Sequence, residues 1–173
     1  QETNVEDIDG DGVVASEDCD DNDPSVGTIC NLCIDGEIEP YNGGTYIFCP
    51  HAETMTDAFL SCVEMGATPV KIDNEAENSW IYNTALTKPI YDSYNNGEHR
   101  TIGLTRINSF PTWEWYDGTQ IGSYFPANTG YNENSDSDRS CSMMIINATD
   151  SAAFEAEWHG KVCSESYAYI CEM

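Results

Sequence analysis

The sequence predicts an α+β fold in which two helices precede a series of strands. Apolar residues between positions 55 and 63 recur at helical spacing, and a second helical pattern begins at Asn74. From residue 101 onward, the apolar segments are short, rich in β-branched and aromatic residues, and separated by turn residues. Helices followed by a group of strands are typical of α+β domains.

The first predicted elements are a hairpin and a helix. Turn residues at Asp35-Gly36 and at positions 42–44 flank a strand predicted over residues 45–48. Thr54 is expected to cap the helix and Gly66 to end it in the left-handed conformation. Val70 and Ile72 then predict a short strand. The residues of the helix expected to face the core are Met55, Ala58, Phe59, Cys62 and Val63.

The second helix is followed by strands and one long loop. Asn74 and Glu77 have the spacing of a capping box, and Pro89 sets the last position at which the helix can end. Its predicted apolar residues are Ala76, Trp80 and Ile81. Strands are predicted over residues 101–105, 112–115 and 143–146, with a turn at Asp117-Gly118 and two final strands that carry Trp158 and Ile170. Residues 123–140 form a polar loop of a length that is usually functional.

Charge and length limit the classes of partner. The 173 residues suit one compact domain with a short appendage and carry a net charge of −25. Nucleic acids and anionic membrane surfaces are not expected as partners, since both are bound through Lys and Arg. No apolar run reaches the roughly 20 residues of a membrane helix, so no membrane insertion is expected. Divalent cations are the expected counter-ions; for the acids beyond residue 40, the alternative is a surface that maintains solubility.

The eight cysteines predict disulfide bonds and an oxidising compartment. Zinc is the alternative, and it depends on Cys30 and Cys33, the only close pair. No second pair accompanies it, and none of the three histidines is spaced with it as a ligand. The chain opens at Gln1 without a signal peptide, so we expect a mature secreted protein that is extracellular or on the cell surface.

Residues 1–30 are predicted to be an acidic calcium-binding segment, distinct from a domain over residues 31–173. Acids occupy positions 1, 3, 5 and 12 of a twelve-residue loop with the spacing of an EF-hand, and Gly12 lies at its sharp turn. The absence of flanking helices makes a thrombospondin type 3 repeat the closer resemblance. The ion would neutralise and stiffen the segment, and a second ion would share Asp18. The predicted calcium ligands are Asp7, Asp9, Asp11, the Val13 carbonyl, Asp18, Asp20 and Asp23.

Seven segments between Cys33 and Met173 occur in an order that is typical of one family. They are residues 58–62, 66–72, 74–78, 101–104, 113–118, 158–163 and 169–172. With these segments the chain resembles, from about Cys33 to Met173, the C-type lectin-like domain family in its long form, with Thr101 in place of the family's Trp. The resemblance implies that family's fold, with two helices, mixed antiparallel sheets and a long loop. It also implies the disulfides Cys62–Cys171, Cys141–Cys163 and Cys33–Cys49, which leave Cys19–Cys30 as the fourth.

The sugar-binding site is where the chain departs from the family. Sugar-binding relatives hold a calcium ion with Glu-Pro-Asn in the long loop and Trp-Asn-Asp on the next strand. Here residues 130–134 replace the first motif, and His159 and Gly160 replace the Asn and Asp of the second. Because calcium requires oxygen ligands, calcium-mediated sugar binding is not expected here.

The long loop still provides candidate ligand-binding residues. They are Tyr131, Asn132, Glu133, Asn134, Asp136 and Asp138. They form either a different cation site or a solvated loop without an ion. Tyr131 is the expected contact with a glycan or a protein, whereas Phe125 is expected to attach the loop to the core.

The resemblance implies a secreted, non-catalytic recognition or adhesion module that binds a glycan or an extracellular protein through this loop. None of the three histidines lies in a nucleophile motif, so no catalysis is expected. The alternative is a structural subunit that self-assembles into an extracellular filament or matrix. The sequence Asn147-Ala148-Thr149 is a single glycosylation sequon, with Asn147 as the acceptor.

We predict that deleting residues 1–30 abolishes high-affinity calcium uptake, because the deletion removes the loop with EF-hand spacing. Isothermal titration calorimetry of the full chain and the truncated chain measures this directly. Equal uptake by both chains would show that the calcium site lies elsewhere.

Overall fold

A computed structural model describes residues 8, 10, 33–91, 98–106, 113–126, 140–147 and 156–173. This part of the chain contains two helices and eight strands, so the predicted α+β class is confirmed. The elements are β1 (Glu37–Tyr41), β2 (Gly44–Thr54), α1 (Met55–Glu64), β3 (Thr68–Pro69), α2 (Glu75–Ala85), β4 (Glu98–Thr105), β5 (Glu114–Trp115), β6 (Cys141–Asn147), β7 (Trp158–Lys161) and β8 (Ser166–Glu172). No helix in these ranges is long and apolar enough to span a membrane.

The strands form one sheet in the order β1-β2-β8-β4-β6-β7, with β3 paired to β8 and β5 paired to β4. Neighbours are antiparallel except β4 and β8, which are parallel. The β1–β2 turn places Asn42 at φ 50° and Gly43 at φ 92°, the two positive values that a tight type I′ hairpin requires. Among the described strands, β7 lies at the end of this order and pairs with β6.

Helix α1 begins and ends where the sequence predicts. The Thr54 side chain accepts a hydrogen bond from the Asp57 N–H at 3.1 Å, and Gly66 has φ 77°. The buried residues of the helix are Met55, Ala58, Phe59 and Cys62. Val63 is 49% exposed, so its predicted burial is wrong. The side of α1 that packs against the core is narrow and carries the other four residues, so Val63 lies beside it and not within it.

Helix α2 differs more from the prediction. Asn74 caps it, since its Oδ1 accepts from the Glu77 N–H at 3.0 Å. The Glu77 carboxylate does not close a capping box on Asn74, because it accepts from the Asp73 N–H at 2.8 Å and from the Tyr46 hydroxyl at 2.7 Å. Ala76 is exposed rather than apolar core. The buried residues are Glu77, Asn78, Ile81 and Ala85, while Trp80 is half-buried.

The strand predicted at Val70 and Ile72 is displaced to Thr68–Pro69. Both apolar residues are buried, and the Val70 N–H still donates to the Ile170 carbonyl of β8 at 3.0 Å while the chain approaches β4. The Gly103 N–H donates to the Val70 carbonyl at 2.9 Å. A Cβ on Gly103 would lie 2.7 Å from the Pro69 carbonyl oxygen, so glycine permits this crossing. Val70 is therefore hydrogen-bonded to β8 through its N–H and to β4 through its carbonyl, although it lies outside a regular strand.

The two helices cover opposite faces of the sheet. Ile81 and Ala85 of α2 join one core cluster, and α1 contributes to the clusters on the other face. Three of the disulfides implied by the resemblance are present: Cys33–Cys49, Cys62–Cys171 and Cys141–Cys163. Cys19 and Cys30 lie outside the described residues. The Cys62–Cys171 bond joins α1 to the central strand β8, and it fixes the last strand of the chain beneath the first helix.

Candidate functional site

The candidate site lies on β7 and on the start of the long loop beside it. Trp158, His159 and Gly160 lie opposite Met144, Met143 and Ser142 of β6. Side chains alternate along a strand. The Trp158 ring therefore enters the core shared with α2, and His159 points to the other face of the sheet. Both are buried, at 1% and 5% exposure.

The Trp158 indole attaches the loop to the core. Its ring meets Tyr124 and Phe125 edge-to-face, with centroids 5.8 and 5.9 Å apart. Its backbone N–H donates to the Pro126 carbonyl at 3.2 Å. Phe125 is 40% exposed, yet one edge of the ring is occupied by this contact. The role expected for Phe125, attaching the loop to the core, agrees with this geometry.

Asn78 of α2 also positions the Trp158 indole. Its Oδ1 accepts from the Trp158 Nε1–H at 2.8 Å, and its Nδ2 donates to the Ala156 carbonyl at 3.0 Å. Ala156 has φ 64°, a conformation that L residues rarely adopt. Asn78 thus fixes both the ring and the bend that leads into β7. This role of Asn78 is not among the sequence predictions. The available signal was its spacing, because Asn78 lies three residues before Ile81 and therefore on the same, buried side of the helix, where a polar side chain needs a partner.

The face of β7 opposite the Trp158 ring carries a carboxylate and an imidazole. The Nε2 atom of His159 lies 3.6 Å from the Oε2 atom of Glu157, and their side chains are 7% and 23% exposed. Gly160 is buried and has no side-chain donor. Calcium takes six to eight oxygen ligands. No residue of β7 has a side-chain oxygen, and Glu157, directly before the strand, has one carboxylate, so β7 does not supply the oxygen ligands of the calcium ion in sugar-binding relatives.

The described residues contain no group of three or more His, Cys, Asp or Glu side chains that would hold a metal ion. The other predicted site residues lie outside the described ranges: Asp7, Asp9, Asp11, Val13, Asp18, Asp20, Asp23, Tyr131, Asn132, Glu133, Asn134, Asp136 and Asp138. They remain predictions. Asn147 ends β6, where its backbone pairs with Glu98, and its glycosylation also remains a prediction.

A second concave region lies at the start of α2, away from the loop. It is a cavity of about 490 Å³ whose wall includes Tyr41, Tyr46, Asp73, Glu77 and Glu172. Burial raises the pKa of the Glu172 carboxyl, and the nearby charges of Glu77 and Asp73 raise it further. The carboxylates of this wall therefore repel one another, which disfavours an anionic ligand.

Comparison with known proteins agrees with the fold. Residues 51–173 match the family described as "Lectin C-type domain". Struthiocalcin-2 of Struthio camelus is 32% identical over 146 residues, which cover 81% of this chain and 94% of that protein. The perlucin-like protein of Mytilus galloprovincialis is 26% identical over 132 residues, 76% of this chain and 77% of that protein.

Solved structures of similar shape include the mouse scavenger receptor C-type lectin carbohydrate-recognition domain. The superposition has a TM-score of 0.62 at 23% identity and extends over 79% of this chain and 92% of the mouse domain. The cow C-type carbohydrate-recognition domain of CD23, determined in the presence of GlcNAc2Man3 oligosaccharide, has a TM-score of 0.62 at 18% identity. That superposition extends over 83% of this chain and 97% of the cow domain. At these identities, the likeness concerns the fold.

We predict that Asn78→Ala lowers the free energy of unfolding by about 1–3 kcal/mol, because it leaves the buried Trp158 Nε1–H without its acceptor. Urea unfolding followed by tryptophan fluorescence measures the loss. Asn83→Ala is the matched control, since Asn83 is on the exposed side of α2 and bonds only within the helix, to the Ser79 carbonyl. Equal stability of the Asn78 variant and the control would contradict the role assigned to Asn78.

Proposed function

The chain belongs to the C-type lectin domain family, and from this premise we propose that it is a secreted recognition module whose ligand, a glycan or an extracellular protein, binds the long loop without the family's calcium. C-type lectin domains are non-catalytic recognition modules, and this chain is accordingly not an enzyme.

One observation carries the proposal: the start of the loop is attached to the core, whereas β7 lacks the side-chain oxygen ligands for calcium. Tyr124 and Phe125 pack on Trp158, so the loop begins from a fixed position. The next two residues, His159 and Gly160, supply no side-chain oxygen. A binding surface built on this scaffold would use aromatic and amide groups of the loop, and Tyr131 is the foremost of them.

The relatives support a glycan as one of the two ligand classes. Two similar solved structures are carbohydrate-recognition domains, and the cow domain was determined in the presence of an oligosaccharide. A protein ligand is the second class, because Tyr is also enriched at protein interfaces. The three disulfides suit an extracellular location, since such bonds persist in oxidising compartments.

Calcium belongs to the proposal through residues 1–30 alone. The alternating acids from Asp7 to Asp11 and the residue Gly12 at the sharp turn of the loop support a structural ion in this appendage. Its role would be to neutralise the acids and stiffen the segment ahead of a recognition domain over residues 31–173. Removing calcium should therefore change the appendage without releasing the ligand from the loop.

The proposal predicts that the protein does not elute from mannose or galactose resin on addition of EDTA, and that any ligand found on a glycan array binds equally in calcium and in EDTA. Tyr131→Ala should weaken that binding about tenfold, equivalent to about 1.4 kcal/mol. Tyr91→Ala is the control, because Tyr91 is also an exposed tyrosine, at 43%, and packs against His51 of β2. Calcium-dependent elution that Asn132→Ala abolishes would instead establish the ordinary lectin mechanism.

A further inference from the structure

We propose that the exposed side of α1 and the cavity beside it bind a basic partner protein, with one of the partner's Lys or Arg side chains inserted into the cavity. This region, named here the α1 surface, comprises Ile34, Glu53, Leu60, Val63 and Glu64. None of these residues belongs to the long loop. The α1 surface is therefore an interaction site in addition to the proposed function, and it does not depend on that function.

The apolar part of the α1 surface consists of three exposed side chains. Leu60 is 53% exposed and Val63 is exposed to a similar degree. They lie three positions apart on the helix, so their side chains are neighbours. Ile34, which is 75% exposed, lines the cavity from the segment before β1. Single exposed apolar residues are normal on a soluble protein, whereas several in one region indicate a contact surface.

The cavity contains a carboxylate whose orientation is fixed. Its volume is about 530 Å³, within the roughly 300–1,000 Å³ of small-ligand sites. Glu53 accepts hydrogen bonds from the Ser61 hydroxyl at 2.7 Å and from the Tyr169 hydroxyl at 3.1 Å. Burial raises the pKa of the Tyr169 hydroxyl and the charge of Glu53 raises it further, so this group remains a donor. A carboxylate has about four acceptor positions, so Glu53 retains capacity for a cation.

Glu64 adds a second carboxylate, which is exposed and also lines the cavity. It is the last residue of α1, and no basic residue lies in the last turn of this helix. The C-terminal end of a helix carries partial negative charge, so an acid at this position lowers the stability of the helix. A cation in the cavity would be attracted by both carboxylates and by the helix end. The position of Glu64 is thus unfavourable for α1 alone and favourable once a cationic ligand is bound.

Charge complementarity selects the partner. The described residues that line the cavity include two carboxylates and no Lys or Arg, and the chain has a net charge of −25. Lys and Arg combine an aliphatic stem, which packs along apolar surface, with a charged end. The stem would pass Ile34 and Met65, while the charged end would contact Glu53 and Glu64. The exposed apolar side chains of α1 would contact apolar residues of the partner beside that stem.

A second copy of this chain is the competing occupant. A symmetric dimer through the α1 surface would bury Leu60 and Val63 of both copies. It would also bring the Glu64 carboxylates of both copies into one interface, because the same surface is used twice. Like charges across an interface oppose association, and a basic partner avoids this repulsion. The two occupants are distinguished by whether the chain dimerises on its own.

The test is a fluorescence anisotropy titration of the full chain with a dye-labelled peptide of leucine and lysine. Calcium and about 0.15 M salt are present, because salt screens attraction that depends on net charge alone. We expect saturable binding that Glu64→Lys and Leu60→Gln each weaken about tenfold. The matched controls are Glu75→Lys in the first turn of α2 and Leu86→Gln at its C-cap, where Leu86 is 47% exposed. The controls should bind the peptide as the unaltered chain does.

A second measurement locates the bound peptide. In the unaltered chain, the peptide should shift the backbone amide NMR signals of Leu60, Val63 and Glu64. The variants should keep the near-UV circular dichroism of the folded protein, since substitutions of exposed residues have small effects on stability. The proposal is overturned by the absence of saturable binding, by equal affinity in the variants and the controls, or by shifts confined to residues 1–30. Dimerisation of the unaltered chain that Leu60→Gln abolishes would assign the surface to a second copy and overturn it as well.

Discussion

The burial of the Trp158 indole is the constraint on which the rest of the site depends. One ring contacts the core, α2 and the start of the long loop. It lies edge-to-face with Trp115 at 5.4 Å and donates its N–H to Asn78. A large aromatic ring buried in this way contributes a few kcal/mol through apolar area alone. Its polar N–H can be buried only because Asn78 accepts from it. The loop is therefore attached to the protein by the same residue that closes the core.

Alternation along β7 places Trp158 and His159 on opposite sides of the sheet. Trp158 packs in the cluster shared with α2, while His159 lies opposite Met143 on the side of α1, so His159 is not part of the aromatic cluster around Trp158. The Cys62–Cys171 bond adds support independent of any ion. It joins residues 109 positions apart, and closing a loop of that length stabilises the fold by about 4–5 kcal/mol in the chain-entropy model. The chain can therefore retain the lectin fold without the calcium ligands of the strand.

Local signals in the sequence were sufficient for the parts of the fold that depend on local chemistry. The Thr54 cap, the stop at Gly66 and the turn at Asn42 each follow from one or two residues. Features that depend on tertiary contacts were not predictable in the same way. Val63 is apolar and at helical spacing, yet none of the described elements buries it, and it is 49% exposed. The displacement of β3 depends on the close approach of Gly103 to Pro69, residues 34 positions apart. The partnership of Asn78 with Trp158 spans 80 positions, and periodicity cannot reveal it.

The central claim is that β7 provides no calcium site although the fold around it is that of a C-type lectin domain. A crystal structure determined in millimolar calcium tests this claim most directly. The account predicts no ion bonded to the residues of β7, while the Trp158 contacts remain as described. A calcium ion within about 2.3–2.6 Å of oxygen atoms of His159 or Gly160, completed by ligands from the long loop, would contradict it.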